Sequence, residues 1–144
     1  MILLRKIIKI ITGLLISITI LGALTLFYLQ NGREMKVYSS HSFQFDNYHT
    51  CTLNIILNQL YISDENSCAE EILDHCKNNT FKNILFSYDA SIPNELNITV
   101  YLSERHLKNH TPSFSFTYTQ TSTDECERYN ILEHPEQFQI TFIS

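Results

Sequence analysis

The four cysteines are the residues whose type and spacing offer the most chemistry, namely Cys51, Cys68, Cys76 and Cys126. Four cysteines allow three sets of two disulfides. Cys68 and Cys76 lie on one predicted helix, about 12 Å apart along its axis, and a disulfide spans at most roughly 7 Å between Cα atoms. The set that pairs these two residues is therefore excluded.

The remaining sets pair Cys51 with Cys76 and Cys68 with Cys126, or Cys51 with Cys68 and Cys76 with Cys126. The first set is favoured because Cys51 and Cys76 occupy core-facing positions of their predicted elements. Four free thiols are the alternative, expected if the domain matures in a reducing environment. The chain has no C-x-x-C motif, which argues against a thioredoxin-like oxidoreductase.

Two histidines, His106 and His110, have the i, i+4 spacing that can direct two imidazole rings at one metal ion. The residues between them lack the glutamate of a metalloprotease motif, and Thr111-Pro112 ends any helix at once. We therefore expect both histidines in a solvated connection. The sequence predicts no catalytic residue, no cofactor and no metal ion.

Glycine content and charge exclude several classes of binding site. All three glycines precede residue 40, whereas phosphate-binding loops, dinucleotide-binding loops and nucleophile elbows need glycine beside the ligand. Seven of the ten Lys and Arg residues and all 15 Asp and Glu residues lie beyond Leu29, which gives this part a formal charge of −8. Nucleic acid is not expected as a partner, because its phosphates require clustered cations.

Residues 10–29 form an uncharged and almost wholly apolar run. A helix of this length reaches about 30 Å, the thickness of the hydrocarbon core of a bilayer. Cleaved signal peptides usually have a shorter apolar stretch and a small-x-small cleavage site, which Ala23-Leu24-Thr25 matches poorly. The sequence predicts a transmembrane signal-anchor helix at residues 7–29, with cleavage and secretion as the alternative.

Arg5, Lys6 and Lys9 lie at the start of this helix without any acidic residue nearby. The positive-inside rule therefore places the N-terminus in the cytoplasm. We expect a basic cytoplasmic N-terminus at residues 1–6 and a linker at residues 30–40. Residues 41–144 then form one extracytoplasmic domain held at the cell membrane.

Alternation of apolar and polar residues predicts half-buried strands in this domain. Each strand would present one dry face and one wet face. The apolar positions are Cys51, Leu53, Ile55 and Leu57; Ile84, Phe86 and Tyr88; Leu96, Ile98, Val100 and Leu102; Phe114, Phe116 and Tyr118; and Phe138, Ile140 and Phe142, with a short piece at Phe43 and Phe45.

One helix is predicted between the first long strand and the next. Ser67 and Glu70 have the spacing of a capping box, and Asn78-Asn79 suits the helix end because Asn tolerates the left-handed conformation. The sequence predicts an α+β fold, with one helix packed on a largely antiparallel sheet. The apolar stripe that would face the sheet contains Ala69, Ile72, Leu73 and Cys76.

These features favour a membrane-anchored, non-catalytic interaction or assembly module at the cell envelope. Its partners would be membrane lipid, through the N-terminal helix, and a protein at the envelope. Two alternatives stay open. One is a sensor of a small ligand or peptide that uses the wet sheet face around Tyr101, and the other is a hydrolase or metal enzyme whose residues converge only in three dimensions.

The orientation is testable by protease protection. Protease added outside intact cells or spheroplasts should digest the domain and leave a short membrane-embedded fragment, because Arg5, Lys6 and Lys9 retain the N-terminus inside. A domain that stays intact until the membrane is permeabilised would show the opposite orientation.

Overall fold

The computed structural model of the chain describes residues 1–121 and 128–143. A long N-terminal helix precedes a domain of five strands and one main helix. The elements in chain order are α1 (Ile2–Asn31), β1 (Lys36–Phe45), β2 (Tyr48–Ile56), α2 (Glu65–Asn78), β3 (Glu95–Tyr101), the short helix α3 (Glu104–Lys108), β4 (Phe114–Gln120), a 3-10 turn (Pro135–Gln137) and β5 (Phe138–Ile143).

The five strands form one mixed sheet in the spatial order β1-β2-β3-β4-β5. Strands β2 and β3 are parallel, and the other three neighbouring pairs are antiparallel. A parallel pair requires a crossover connection, which α2 provides between β2 and β3. The predicted α+β fold, one helix on a largely antiparallel sheet, is confirmed.

The core lies between α2 and one face of the sheet. The helix contributes the predicted stripe, and all four of its residues are buried. The sheet contributes alternate residues of its three central strands, as the period of two requires. These residues are Cys51, Leu53 and Ile55 from β2, Leu96, Ile98 and Val100 from β3, and Phe114, Phe116 and Tyr118 from β4.

The start of α2 differs from the prediction. Asp64, not Ser67, is the N-cap residue, and its carboxylate accepts a hydrogen bond from the Ser67 backbone N–H at 2.9 Å. A carboxylate at this position satisfies a free N–H group and also interacts favourably with the helix dipole. The end of the helix is as predicted, with Asn79 in the left-handed conformation at φ 54°.

The prediction of a strand around Ile84, Phe86 and Tyr88 is wrong. These residues lie in an irregular connection, although their side chains do pack against the core. The Asn79 side chain hydrogen-bonds to both backbone groups of Phe86. The Phe86 N–H donates to Asn79 Oδ1, and Asn79 Nδ2 donates to the Phe86 carbonyl oxygen, both at 2.8 Å. Because an amide side chain satisfies this backbone, the segment needs no neighbouring strand.

Helix α1 is long and apolar enough to cross a membrane, and none of its residues is fully buried in the structure. It continues through Asn31, and β1 begins at Lys36. Only residues 32–35 therefore connect the helix to the sheet, in place of the linker expected at residues 30–40. The last turn of α1 also contacts the domain, since the Gln30 side chain hydrogen-bonds to the backbone of the loop that follows β2.

The assigned face of α2 is testable by substitution. Ile72→Asp should lower the free energy of unfolding by at least about 3 kcal/mol, since the loss of a buried Ile side chain alone costs about 2–5 kcal/mol and the carboxylate would have no partner. Glu71→Ala, at an exposed position of the same helix, should change it by under about 0.5 kcal/mol. Equal effects in chemical denaturation of the full chain would contradict the assignment.

Candidate interaction surface

The hairpin of β1 and β2 presents an aromatic cluster, here called the aromatic tip and formed by Phe43, Phe45 and Tyr48. Phe45 lies opposite Tyr48 in the register, and the turn between them contains Asp46 at φ 54°. Asp is among the few residues that adopt this left-handed conformation readily. The turn therefore requires no glycine.

The aromatic tip lies on the sheet face opposite the core. Ser42 is opposite the buried Cys51 in the register, so Phe43 and Phe45, which lie one and three residues beyond Ser42, point the other way. Phe43 is 69% exposed and Phe45 is 74% exposed. Exposure of two neighbouring apolar rings to water is unfavourable in free energy, and this cost is removed when another surface covers the rings.

Polar contacts hold the third ring of the tip in place. The Tyr48 hydroxyl donates to Glu95 Oε2 at 2.8 Å, and the Arg128 guanidinium lies 5.8 Å from the Tyr48 ring centroid. Partial burial, together with the neighbouring Glu95 carboxylate, raises the pKa of Tyr48 to about 12. The phenol therefore stays neutral at physiological pH. Phe45, Asp46, Tyr48 and Arg128 together line a shallow cleft of about 340 Å³.

Strand β1 is also an open edge of the sheet. At its start Asn83 acts as a substitute neighbour, because its side chain accepts from the Val37 N–H at 3.2 Å and donates to the Val37 carbonyl at 2.6 Å. Within the described part of the chain, the backbone of residues 38–45 hydrogen-bonds only to β2. This stretch contains no Lys, Arg or Pro, the residues that commonly protect an edge from pairing.

A second cleft, of about 570 Å³, lies on the core side of the same hairpin. His49 and Cys51 both line it, so the structure brings these two residues together. His49 Nδ1 lies 2.9 Å from Ser91 Oγ, and Ser40 Oγ lies 3.6 Å from Cys51 Sγ. Among the hydrogen bonds of the described residues, none joins a carboxylate to the His49 ring.

The cysteines differ from the prediction in their bonding. Cys51, Cys68 and Cys76 are free thiols, so the expected Cys51–Cys76 disulfide is not formed in the structure. Both residues are buried in the core as predicted, where a neutral thiol packs as a small apolar side chain. Cys126 lies outside the described residues, and its expected pairing with Cys68 stays a prediction.

Burial controls the acidity of two of these thiols. It raises the pKa of Cys76 to about 12, and the proximity of Cys51 adds to that effect. Burial, with the neighbouring carboxylates of Glu71 and Glu65, raises the pKa of Cys68 to about 11. Both thiols are therefore protonated at neutral pH, and they lack the nucleophilic thiolate.

The two histidines with metal-ligand spacing lie in and just after the short helix α3. His106 lies in α3, and its Nδ1 is 2.9 Å from Ser103 Oγ. His110 follows α3 in the left-handed conformation at φ 52°. Across residues 1–121 and 128–143, no group of three or more His, Cys, Asp and Glu side chains is arranged to hold a metal ion.

Comparison of the chain with protein-family models, curated proteins and solved structures finds no match.

The sequence analysis did not predict the aromatic tip; it predicted only a short piece of strand at Phe43 and Phe45. The signal that could have located it is the Asp46-Asn47 dipeptide between two segments in which apolar and polar residues alternate, since Asp and Asn are turn-forming residues. That the rings are exposed follows only from the register with β2.

The thiol chemistry is testable by alkylation. In the native full chain at pH 8, Cys68 and Cys76 should react with iodoacetamide at least about tenfold more slowly than in guanidinium chloride, because burial disfavours the thiolate. Peptide mass spectrometry would measure the modification at each position. Equal rates in the native and unfolded protein would contradict the buried, high-pKa assignment.

Proposed function

We propose that this chain is a membrane-anchored, non-catalytic interaction module that binds a protein partner along the open edge of β1. The observation that carries the proposal is the combination, on one strand, of two features: the backbone of residues 38–45 hydrogen-bonds only to β2 within the described part of the chain, and the rings of Phe43 and Phe45 are exposed. An exposed edge of this kind is a template for pairing with a further strand. A partner would satisfy both the backbone and the apolar rings.

Anchoring in the membrane is supported by the composition and length of α1. Its uncharged run is long enough to cross a bilayer, and the cations at its start favour a cytoplasmic N-terminus. The domain would then act at the outer surface of the cell membrane. A module held there meets its partner at or near the bilayer.

Strand addition accounts for the geometry of the surface. In this binding mode an extended segment hydrogen-bonds to an open sheet edge, and its alternate side chains contact the flanking side chains. Phe43 and Phe45 would contact every second residue of the added strand, and Tyr48 with Arg128 would extend that contact. Aromatic residues and Arg are the types that contribute most to the binding energy of protein interfaces.

The charge of the domain constrains the partner segment. The part beyond Leu29 has a formal charge of −8, and Asp46 lies in the cleft beside the aromatic tip. A strand that carries Lys or Arg among apolar residues would complement this potential, whereas an acidic strand would be repelled.

A hydrolytic function is the second candidate, because Ser91 Oγ lies within hydrogen-bond distance of His49 Nδ1 in the larger cleft. A nucleophile beside a base is the first requirement for acyl transfer. The second is a group that orients the base, and no carboxylate fulfils that role among the hydrogen bonds of the described residues. The interaction function is therefore the better supported.

The binding surface is testable by photo-crosslinking in intact cells that produce the full chain. A photoreactive benzophenone amino acid at Phe43 should form an adduct with a protein partner, because this ring is exposed beside the open edge. The same amino acid at Leu132, an exposed position outside the strands, is the control. Mass spectrometry of the adduct should locate the crosslink in an extended segment of the partner.

A companion variant separates the surface from the fold. Phe45→Lys should remove the Phe43 adduct while leaving the unfolding midpoint within the error of the unmodified chain, because Phe45 is exposed. Equal adducts from Phe43 and Leu132, or an adduct that survives Phe45→Lys, would contradict binding at the β1 edge.

A further inference from the structure

The Gln30 side chain joins the last turn of α1 to the loop after β2. Gln30 Oε1 accepts hydrogen bonds from the backbone N–H groups of Leu60 at 3.0 Å and Tyr61 at 3.3 Å. Gln30 Nε2 donates to the Tyr61 carbonyl at 3.0 Å. Three bonds to two adjacent residues hold this loop beside the end of the helix.

The position of Gln30 sets the depth of the loop relative to a membrane. Gln30 directly follows the uncharged run of residues 10–29, which has the length of the hydrocarbon core. It therefore marks the boundary between hydrocarbon and headgroups. Leu60 and Tyr61 are hydrogen-bonded to its side chain, so they lie at the same level.

The loop presents side chains suited to that boundary. Leu60 is 44% exposed and Tyr61 is 59% exposed. Phe27 and Tyr28, in the last turns of α1, are exposed as well. Tyr is enriched where a protein meets the membrane interface, since its ring is apolar and its hydroxyl remains hydrated.

Further contacts fix the domain to the end of the helix. Asn58, in the same loop, donates from Nδ2 to the Glu34 carbonyl at 2.8 Å. The Glu34 carboxylate pairs with Lys82. The connection of residues 32–35 is therefore held to two separate segments of the domain, and it does not act as a free tether.

We infer that Leu60 and Tyr61 insert into the interfacial layer of the bilayer and hold the domain against the membrane in one orientation. This inference rests on the proposed anchoring by α1, and it adds lipid as a direct contact of the domain itself. The acidic residues Asp64 and Glu65 follow the loop closely. These carboxylates and Glu34 offset the nearby cations Arg33 and Lys82, so the surface has no excess of cations for anionic headgroups, and a zwitterionic lipid suits it.

The test exploits the absence of tryptophan from the chain. Tyr61→Trp is introduced into the full chain, which is then reconstituted in nanodiscs of phosphatidylcholine with bromine atoms high on the acyl chains. Tyr28→Trp is the reference within α1. Phe45→Trp is the control, because it lies at the far end of β1, about 30 Å along the strand from Lys36.

The expected result is a blue-shifted emission that the brominated lipid quenches strongly for Tyr61→Trp and Tyr28→Trp but not for Phe45→Trp. Quenching of Tyr28→Trp alone would overturn the inference and leave the anchor in place. Quenching of none of the three would overturn both. Equal quenching of all three would exclude the single orientation. Should Tyr61→Trp fail to fold, Leu60→Trp provides the same readout.

A second measurement addresses the role of Gln30. Gln30→Ala should accelerate hydrogen exchange at the Leu60 and Tyr61 amides in nanodiscs and reduce the quenching of Tyr61→Trp. Asn31→Ala is the matched control, because the Asn31 side chain donates within α1, to the Phe27 carbonyl at 3.2 Å, and has no hydrogen bond to the loop among the described residues. Equal exchange rates in the two variants would refute the docking of the loop by Gln30.

Discussion

Side-chain amides that bind backbone groups hold the irregular segments of this domain in place. Asn79 bonds both backbone groups of Phe86, and Asn83 does the same at Val37. Asn94 accepts from the His49 N–H and donates to the Tyr129 carbonyl. A buried backbone group without a partner is costly, so these amides replace the neighbouring strands that the connections lack. The Gln30 side-chain amide likewise hydrogen-bonds to backbone groups, and it thereby joins α1 to the domain.

The single main helix determines which surfaces of the sheet remain open. Helix α2 covers one face, and its buried stripe forms the core with β2, β3 and β4. The other face keeps polar side chains, such as Asn54 and Ser39, which are hydrogen-bonded to each other at 2.8 Å. The aromatic tip interrupts this polar face at the end where the hairpin reaches beyond the core. An exposed pair of rings therefore lies beside the β1 edge, whose backbone at residues 38–45 hydrogen-bonds only to β2 within the described residues.

The proposed membrane anchor and the proposed partner place different demands on the two ends of β1. Near Lys36 the strand is close to α1, and amide contacts from Asn83 and Gln30 stabilise the surrounding loops. Near Phe45 the hairpin is held by its own register and by the Tyr48–Glu95 hydrogen bond. A fixed inner end and an accessible outer end would let an anchored module present the same surface to each partner it meets. The tight connection of residues 32–35 makes this arrangement possible.

The sequence by itself determined the apolar helix, through its long uncharged run. It also determined the buried stripe of α2 and most of the strands, because these depend on local patterns with a period of three to four residues or of two. The tertiary structure alone decided the rest. Ile84, Phe86 and Tyr88 alternate like a strand, yet Asn79 supplies the backbone partners and no strand forms. Phe43 and Phe45 have the same alternation and are exposed, since exposure depends on which face of the sheet α2 covers. Gln30 reaches Leu60 and Tyr61 across 30 residues of sequence, a contact that no local pattern encodes.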